Sequence, residues 1–366
     1  MISMSGNRDI FSPYIILVAI IAYLLMAYVA FHYKIRGLNF PSLVSIIYIS
    51  IGSLVYILGV LTSSNFKSPL YSRVKMEFSP RHETLLLILA ILSIILTTWN
   101  LYNVGGIPLF SGYLKAKAFT KIWFISYLLF LFSINLLLAR FKRNSYYGLF
   151  IIGLTLSALT GYRTTTVVLL LSVLINLYYT RNISLGRITI IGIFIISLTI
   201  IIGYIAVKSI EWQHWNLNPI ELFFYRAGYT LTVFDRLIQF EGATHGKLLY
   251  STLTGFFTST DPRIIVGTTV LGYKHSSTST IFGPATLDFG FFAMIIQMFI
   301  IGLILGLLHT IQKIKKGFFT ALYAIILAHT LVWIETGPTD LVVWIFYLIG
   351  VAVIIREACH ESGHRS

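Results

Sequence analysis

The chain has 366 residues, 57% of them hydrophobic and 11% charged, where an average soluble domain carries roughly 25% charged residues. That excludes an ordinary soluble globule and points to a polytopic membrane protein. The single cysteine, Cys359, excludes an internal disulfide and a cysteine metal cage. The formal net charge of +14 is scattered over many loops, as topology signals and anionic headgroups require. Nucleic-acid binding would gather it.

A membrane helix needs about 20 mostly apolar residues, and ten stretches qualify in chain order: 11–33, 42–62, 83–104, 122–140, 146–161, 164–180, 187–207, 285–308, 318–334 and 340–356. The first has no small-residue cleavage site after it and is read as a retained helix, not a signal peptide. The fifth and sixth are short and separated only by "LTGYRTTT", so a tight re-entry or a bend shielded by protein is expected there. Between the seventh and eighth lies 208–284, the only long polar interruption. Within it, Asn218, Pro219 and Glu221 form a helix-start signature. This predicts an amphipathic helix over 219–240, lying at or just above the membrane surface. An eleventh, broken span is the alternative. The fold class expected is all-α: about ten transmembrane helices in a single membrane domain, 1–366, with one long extracytoplasmic loop.

Loop charge sets the orientation. Lys67, Arg73, Lys75 and Arg81, then Arg140, Lys142 and Arg143, then Arg181 and Arg187, then Lys313, Lys315 and Lys316 fall on one side of the ten-span model. The positive-inside rule makes that side cytoplasmic, with both termini inside. The outer side holds 34–41, 105–121, 161–163, 208–284 and 335–339. Loop 105–121 breaks the rule mildly with three lysines, which suggests a use for charge other than topology.

The outer side also collects the residues that suit an anion. Arg163 sits at a helix start beside Gly161 and the hydroxyls of Thr164, Thr165 and Thr166. Guanidinium stays charged and presents a planar fork to phosphate oxygens, and a helix N-terminus adds a favourable dipole. The bland reading of Arg163 is an interfacial arginine that snorkels. In "FFYRAGYT", Arg226 with Tyr225 and Tyr229 suits sugar faces and phosphate oxygens, or else a solvated helix face. Arg236 follows Asp235 and reads equally as a local pair. With Arg263, Lys247 and Lys274, these make an electropositive vestibule, and His275 beside Lys274 reads as an acid or base. Asp288 reads as a helix-start cap or a base, while Glu335 and Asp340 in "ETGPTD" read as closing a turn. His329 inside the ninth span reads as a hydrogen-bonded packing residue. No His/Cys/Asp/Glu spacing suits a metal, and no phosphate-binding glycine loop is present, so no metal and no cofactor are expected.

Four segments together carry a resemblance: "NVGGIPLFSG" (103–112), "LTGYRTTTVVLLL" (159–171), the long loop with "YRAGYT", and "GPATLDFGFFAMIIQMFIIGLILG" (283–306). The chain resembles the oligosaccharide repeat unit polymerases, the Wzy-type O-antigen polymerases distantly related to O-antigen ligases. The resemblance implies a GT-C-like architecture in the cytoplasmic membrane with a site facing outside. It implies a glycosyltransferase that joins repeat units carried on polyprenyl pyrophosphate, with no metal or nucleotide sugar. The implied partners are the lipid-linked oligosaccharide, the bilayer, and chain-length regulator and flippase proteins; nucleic acid is not one. Carried onto this chain, the implied catalytic residues are Arg163, Arg226 and Asp288. Tyr162, Thr164, Tyr225, Tyr229, Arg236, Arg263, Lys274 and His275 are the substrate-binding candidates. Tyr162 stands where the family pattern usually has a small serine, and Arg263 with Gly272 come nearest to the paired arginine–glycine spacing of some members.

Breaking a sugar–pyrophosphate bond leaves negative charge on the phosphate, which fixed cations stabilise most in the transition state. A base for the acceptor hydroxyl is also required; Glu211, Asp288 and His275 are the candidates. An enzyme using polyprenyl-monophosphate sugars would place acids in the first outer loop, but "KIRGLNFP" has none. The alternative from another class is a transporter or flippase for an anionic lipid-linked glycan or other anionic solute. It predicts inverted repeats and charges near mid-membrane, which the sequence does not show.

Overall fold

The computed structural model describes residues 9–66, 80–141, 143–181, 183–210, 215–258 and 260–362. Glu211, one of the expected base candidates, lies outside them, as do Lys67, Arg73, Lys75 and Lys142. Among the described residues the chain is helical, with no strand.

The apolar runs form α1 (Ile15–His32), α2 (Leu43–Ser63), α3 (Pro80–Val104), α5 (Lys121–Arg140), α6 (Ser145–Leu159), α7 (Arg163–Arg181), α8 (Leu185–Lys208), α13 (Phe291–Lys315), α14 (Phe318–Thr336) and α15 (Leu341–Ser362). Shorter helices α4 (Gly112–Ala118), α9 (Pro219–Ile238), α10 (Lys247–Thr258), α11 (Pro262–Val266) and α12 (Gly283–Phe289) fill the connections. Eight of these, α1, α2, α3, α5, α7, α8, α13 and α14, are long and apolar enough to cross a membrane. The chain is therefore a multi-pass membrane protein. At 15 residues, α6 reaches only about 22 Å at 1.5 Å per residue, short of a bilayer core of ~30 Å, and it packs on α5, α7 and α3. It joins α7 through a tight turn in which Gly161 has φ +73°, and a Cβ there would press on the Pro108–Leu109 backbone.

Side chains fix the helix starts. Ser42 caps α2 by accepting from the Ser45 N–H, and Thr120 caps α5 by accepting from the Trp123 N–H. Asn218 and Glu221 complete a capping box on α9. In lipid no hydrophobic force drives helices together, so small residues that admit close backbones matter most. The α2–α13 contact shows this: a Cβ on Gly59 would collide with the Phe299 carbonyl, and one on Gly302 with the Tyr56 carbonyl. α14 is the most enclosed of the long helices, 78% of its apolar window being buried against 22% for α8, so whatever projects from its end projects from the centre of the bundle.

Two expectations change. The predicted eighth span is broken at Gly290, where φ is +82°, into α12 and α13, so Asp288 ends a short buried helix and does not begin a span. And α9 does not lie on a lipid surface. Its apolar stripe is covered by protein: Gly228 sits against Ala30 and Leu38, Phe234 against Phe282, and Asp235 accepts from the Ser42 N–H and from the hydroxyls of Ser42 and Ser45. An amphipathic pattern reports an apolar neighbour, and here that neighbour is α1, α2 and α12.

Candidate functional site

The turn that holds Gly161 aims Arg163 toward α14. One Nη of Arg163 donates to Glu335 Oε1. Arg226, one turn and more into α9, donates to the same oxygen at 3.0 Å. Two guanidiniums thus share one carboxylate oxygen. The relative exposures of the three side chains are 18% for Arg163, 33% for Arg226 and 26% for Glu335, so the cluster is enclosed but not sealed. Arg226 Nε is buried with no acceptor among the described residues.

A cavity of about 90 Å³ opens on the two arginines of this cluster, lined by Lys115, Arg163, Gly203, Tyr204, Leu222 and Arg226. Gly203 lies against Arg163: a Cβ there would be in ordinary contact, 3.5 Å from Arg163 Nη1. Lys115 comes from α4, whose loop is tied down on three sides. Gly112 N–H donates to the Ser209 carbonyl at 3.0 Å, Tyr162 Oη to the Lys115 carbonyl at 2.8 Å, and Asn100 Nδ2 to the Ala118 carbonyl at 3.1 Å. Burial, followed by the charges of Arg163, Arg226 and Arg263, pushes the Lys115 ammonium down to about 8. Two guanidiniums therefore share one carboxylate while Lys115 lines the same cavity as they do, a local positive surplus that water is only partly able to screen.

A second pair stands beside the first. Arg263 Nη2 donates to both oxygens of Asp340, at 2.9 and 3.0 Å, and its Nε donates to Thr339 Oγ1 at 3.1 Å. Asp261 accepts from the Arg263 N–H and from Ser276 Oγ. This clamp fixes the turn that follows α14 and, through it, the position of Glu335.

The other sequence-predicted residues separate into groups. Tyr162 packs against Phe119 and Trp123, with Lys115 Nζ 5.6 Å from its ring centroid, so it supports the cavity wall. Thr164 is half-buried. Thr165 and Thr166 donate to the Tyr162 carbonyl, which spends the hydroxyl protons expected to face an anion. Tyr225 and Tyr229 stack on each other, and Arg36 and Trp215 close over Tyr225, so protein occupies much of their ring surface. Arg236 and Lys274 are exposed and form no ion pair among the described residues; Asp235 is held by the α2 cap instead. His275 Nδ1 lies 3.1 Å from Ser277 Oγ, and burial with the nearby charge of Arg226 holds its imidazolium below the ordinary range. Asp288 is 2% exposed. Its oxygens accept from Thr244 Oγ1 (2.5 Å), the Leu248 N–H (3.0 Å) and the Leu249 N–H (2.7 Å). It caps α10 from outside that helix. His329 is bonded to the Ile325 carbonyl and to Tyr127, as expected for a packing residue.

Sequence reasoning missed Glu335 and Lys115. Glu335 reads as a turn residue, and Arg163 and Arg226 lie 172 and 109 positions away. Lys115 was visible only as a breach of the charge rule in loop 105–121.

The fold and this cluster define a multi-pass membrane protein with a cationic, half-enclosed site at one end of its helices. The family described as "Putative O-antigen polymerase" matches residues 9–347, and the chain belongs to that family. It is a membrane polymerase of polysaccharide synthesis. It is also similar to two uncharacterized proteins of Methanocaldococcus jannaschii. One is 28% identical over 280 residues, covering 75% of this chain and 77% of the relative. The other is 30% identical over 233 residues, covering 64% and 54%. No solved structure matches the chain.

Proposed function

We propose that the protein is a glycosyltransferase that joins oligosaccharide repeat units carried on polyprenyl pyrophosphate, on the outer face of the cytoplasmic membrane. The observation that carries this reading is the enclosed surplus of positive charge: Arg163 and Arg226 share the single carboxylate of Glu335 and, together with Lys115, line a cavity. An enclosed cationic surplus has a use when an anion arrives, and a phosphate group presents several acceptor oxygens to guanidinium forks. The cavity holds a phosphate-sized group and not a sugar chain, so the glycan extends away from it.

In the reaction the acceptor hydroxyl oxygen attacks the anomeric carbon of the donor glycan. The bond from that carbon to the pyrophosphate oxygen breaks, and its electron pair leaves on the phosphate. Fixed cations stabilise that developing charge without reorganising. The clustering of the charges at helix ends, and not midway along spans, favours this reading over carriage of an anionic solute. Arg163, Arg226 and Lys115 bind the leaving group. Arg263 and Asp340 hold the turn that positions the site.

The test is incubation of purified protein in lipid with synthetic polyprenyl-pyrophosphate-linked repeat units, with neither nucleotide sugar nor added metal. A ladder of products spaced by one repeat unit is expected. Intact substrate after prolonged incubation, with the same protein moving the lipid-linked glycan across vesicles, overturns the reading.

A further inference from the structure

We infer that Glu335 is an internal counter-anion that the pyrophosphate displaces, and that the displaced carboxylate is the base for the acceptor hydroxyl. This rests on the function proposed above and deepens it. In the structure Arg163 and Arg226 both donate to one oxygen, Oε1, while no hydrogen bond reaches Oε2 among the described residues. The carboxylate occupies the place where an anionic ligand would take the same two guanidiniums. A pyrophosphate esterified at both ends offers four non-bridging acceptor oxygens where Glu335 gives the arginines one, and these also suit the unpaired Arg226 Nε. Lys115 lines the same cavity and forms no ion pair among the described residues, so the incoming anion gains a third cation that Glu335 does not use.

The exchange sets an order of events. A carboxylate oxygen that already accepts from two arginines is not free to take a proton. When the donor pyrophosphate takes the arginines, the carboxylate is released into the same enclosed space. There it accepts the proton of the acceptor hydroxyl as that oxygen attacks the anomeric carbon, and the electron pair of the broken carbon–oxygen bond leaves on the pyrophosphate. The proton on Glu335 then passes to solvent as the polyprenyl pyrophosphate departs and the arginines close on the carboxylate again. Without a donor, the base is masked, so an acceptor is not activated prematurely. The Arg263–Asp340 clamp and the enclosure of α14 keep the backbone of Glu335 in place while its side chain changes partner.

The test separates binding from turnover. Inorganic pyrophosphate is titrated into detergent-purified wild type, E335Q and E335D, and each is assayed with lipid-linked repeat units. Removing the competing charge makes E335Q bind pyrophosphate roughly tenfold more tightly, within the usual range for coupled binding events. The same variant loses about 100-fold or more in kcat, as loss of a general base does. A residue that merely orders the arginines moves affinity the other way. Equal or weaker pyrophosphate binding by E335Q, or polymerisation at the wild-type rate, overturns the inference while leaving the proposed function intact. Pyrophosphate binding by none of the proteins overturns the function as well. If E335Q does not fold, E335D decides: its shorter carboxylate holds the arginines less well, so pyrophosphate binds several-fold more tightly and kcat falls. Unchanged affinity in E335D overturns the exchange.

Discussion

The two ends of the helical bundle are both rich in basic residues, yet they treat charge differently. At one end Asp9 Oδ2 meets His309 Nε2 and Lys313 Nζ, each at 2.8 Å. The single Tyr179 O–H is shared between Asp9 Oδ1 and the Phe11 carbonyl, and Tyr323 also donates to that carbonyl. Burial alone would raise the Asp9 carboxyl, but hydrogen bonds from His309, Lys313 and Tyr179 outweigh it and hold the group well below its ordinary value. Asp9 thus has partners on both oxygens, and Lys313 remains half in solvent, 51% exposed. At the other end, Arg163 and Arg226 share one acid and, with Lys115, line a cavity. An exposed surplus of charge needs only water and headgroups. An enclosed surplus needs a ligand. Counting basic residues therefore locates both ends, and only enclosure tells them apart.

The largest expected break in this contrast comes from Arg163→Ala and Arg226→Ala. Each removes a donor to the leaving phosphate, and such losses cost about 100- to 1,000-fold in kcat. Both variants should reach the membrane folded and give no product ladder; a normal ladder from either removes that arginine from the site. Next is the clamp. Arg263→Ala and Asp340→Asn free the turn after α14, and displacing a group by about 1 Å costs up to ~100-fold. Turnover should fall by roughly ten- to 100-fold while inorganic pyrophosphate still binds; loss of binding as well would make Arg263 a direct ligand.

Lys115 sharpens the contrast through pH. Its folded value is depressed to about 8, so the ammonium is present below that pH and lost above it. kcat/KM should fall as pH rises through about 8, and Lys115→Arg, which stays charged, should remove that limb. A profile unchanged in Lys115→Arg would assign the limb to another group. The smallest effect on activity belongs to Asp9→Asn at the far end. Because the folded value of Asp9 is depressed, its stabilisation is present above the ordinary carboxylate value and is lost as pH falls through the folded one. Asp9→Asn should therefore lower the Tm at neutral pH, approach wild type in acid, and leave polymerisation unchanged. A Tm difference that persists in acid would show that the variant acts through packing and not charge.

Most of the helical frame was legible because a lipid-spanning helix writes itself as an uninterrupted apolar run. Arg163 and Arg226 were legible because a charge at the end of such a run is costly unless used. The rest needed three dimensions. Glu335 sits in "ETGPTD", a stretch whose turn chemistry hides a carboxylate that meets arginines from two distant helices. Asp288 follows Pro284 and precedes a long apolar run, the pattern of a helix start, but Gly290 breaks the backbone between them and turns the carboxylate into a cap for α10. The stripe on 219–240 reads as a face lying at or just above the membrane surface, because sequence shows that a face is apolar and not what covers it. Tyr225 and Tyr229 have the composition of a sugar platform and spend much of their surface on each other, Trp215 and Arg36.

The most direct test of the central claim is binding of polyprenyl pyrophosphate, without glycan, to the protein in nanodiscs made of uncharged lipid. Wild type and Asp9→Asn should bind it saturably with the same affinity, and the Arg163→Ala/Arg226→Ala double variant should not bind it. Equal binding by all three would show that the enclosed cationic cluster is not the pyrophosphate site.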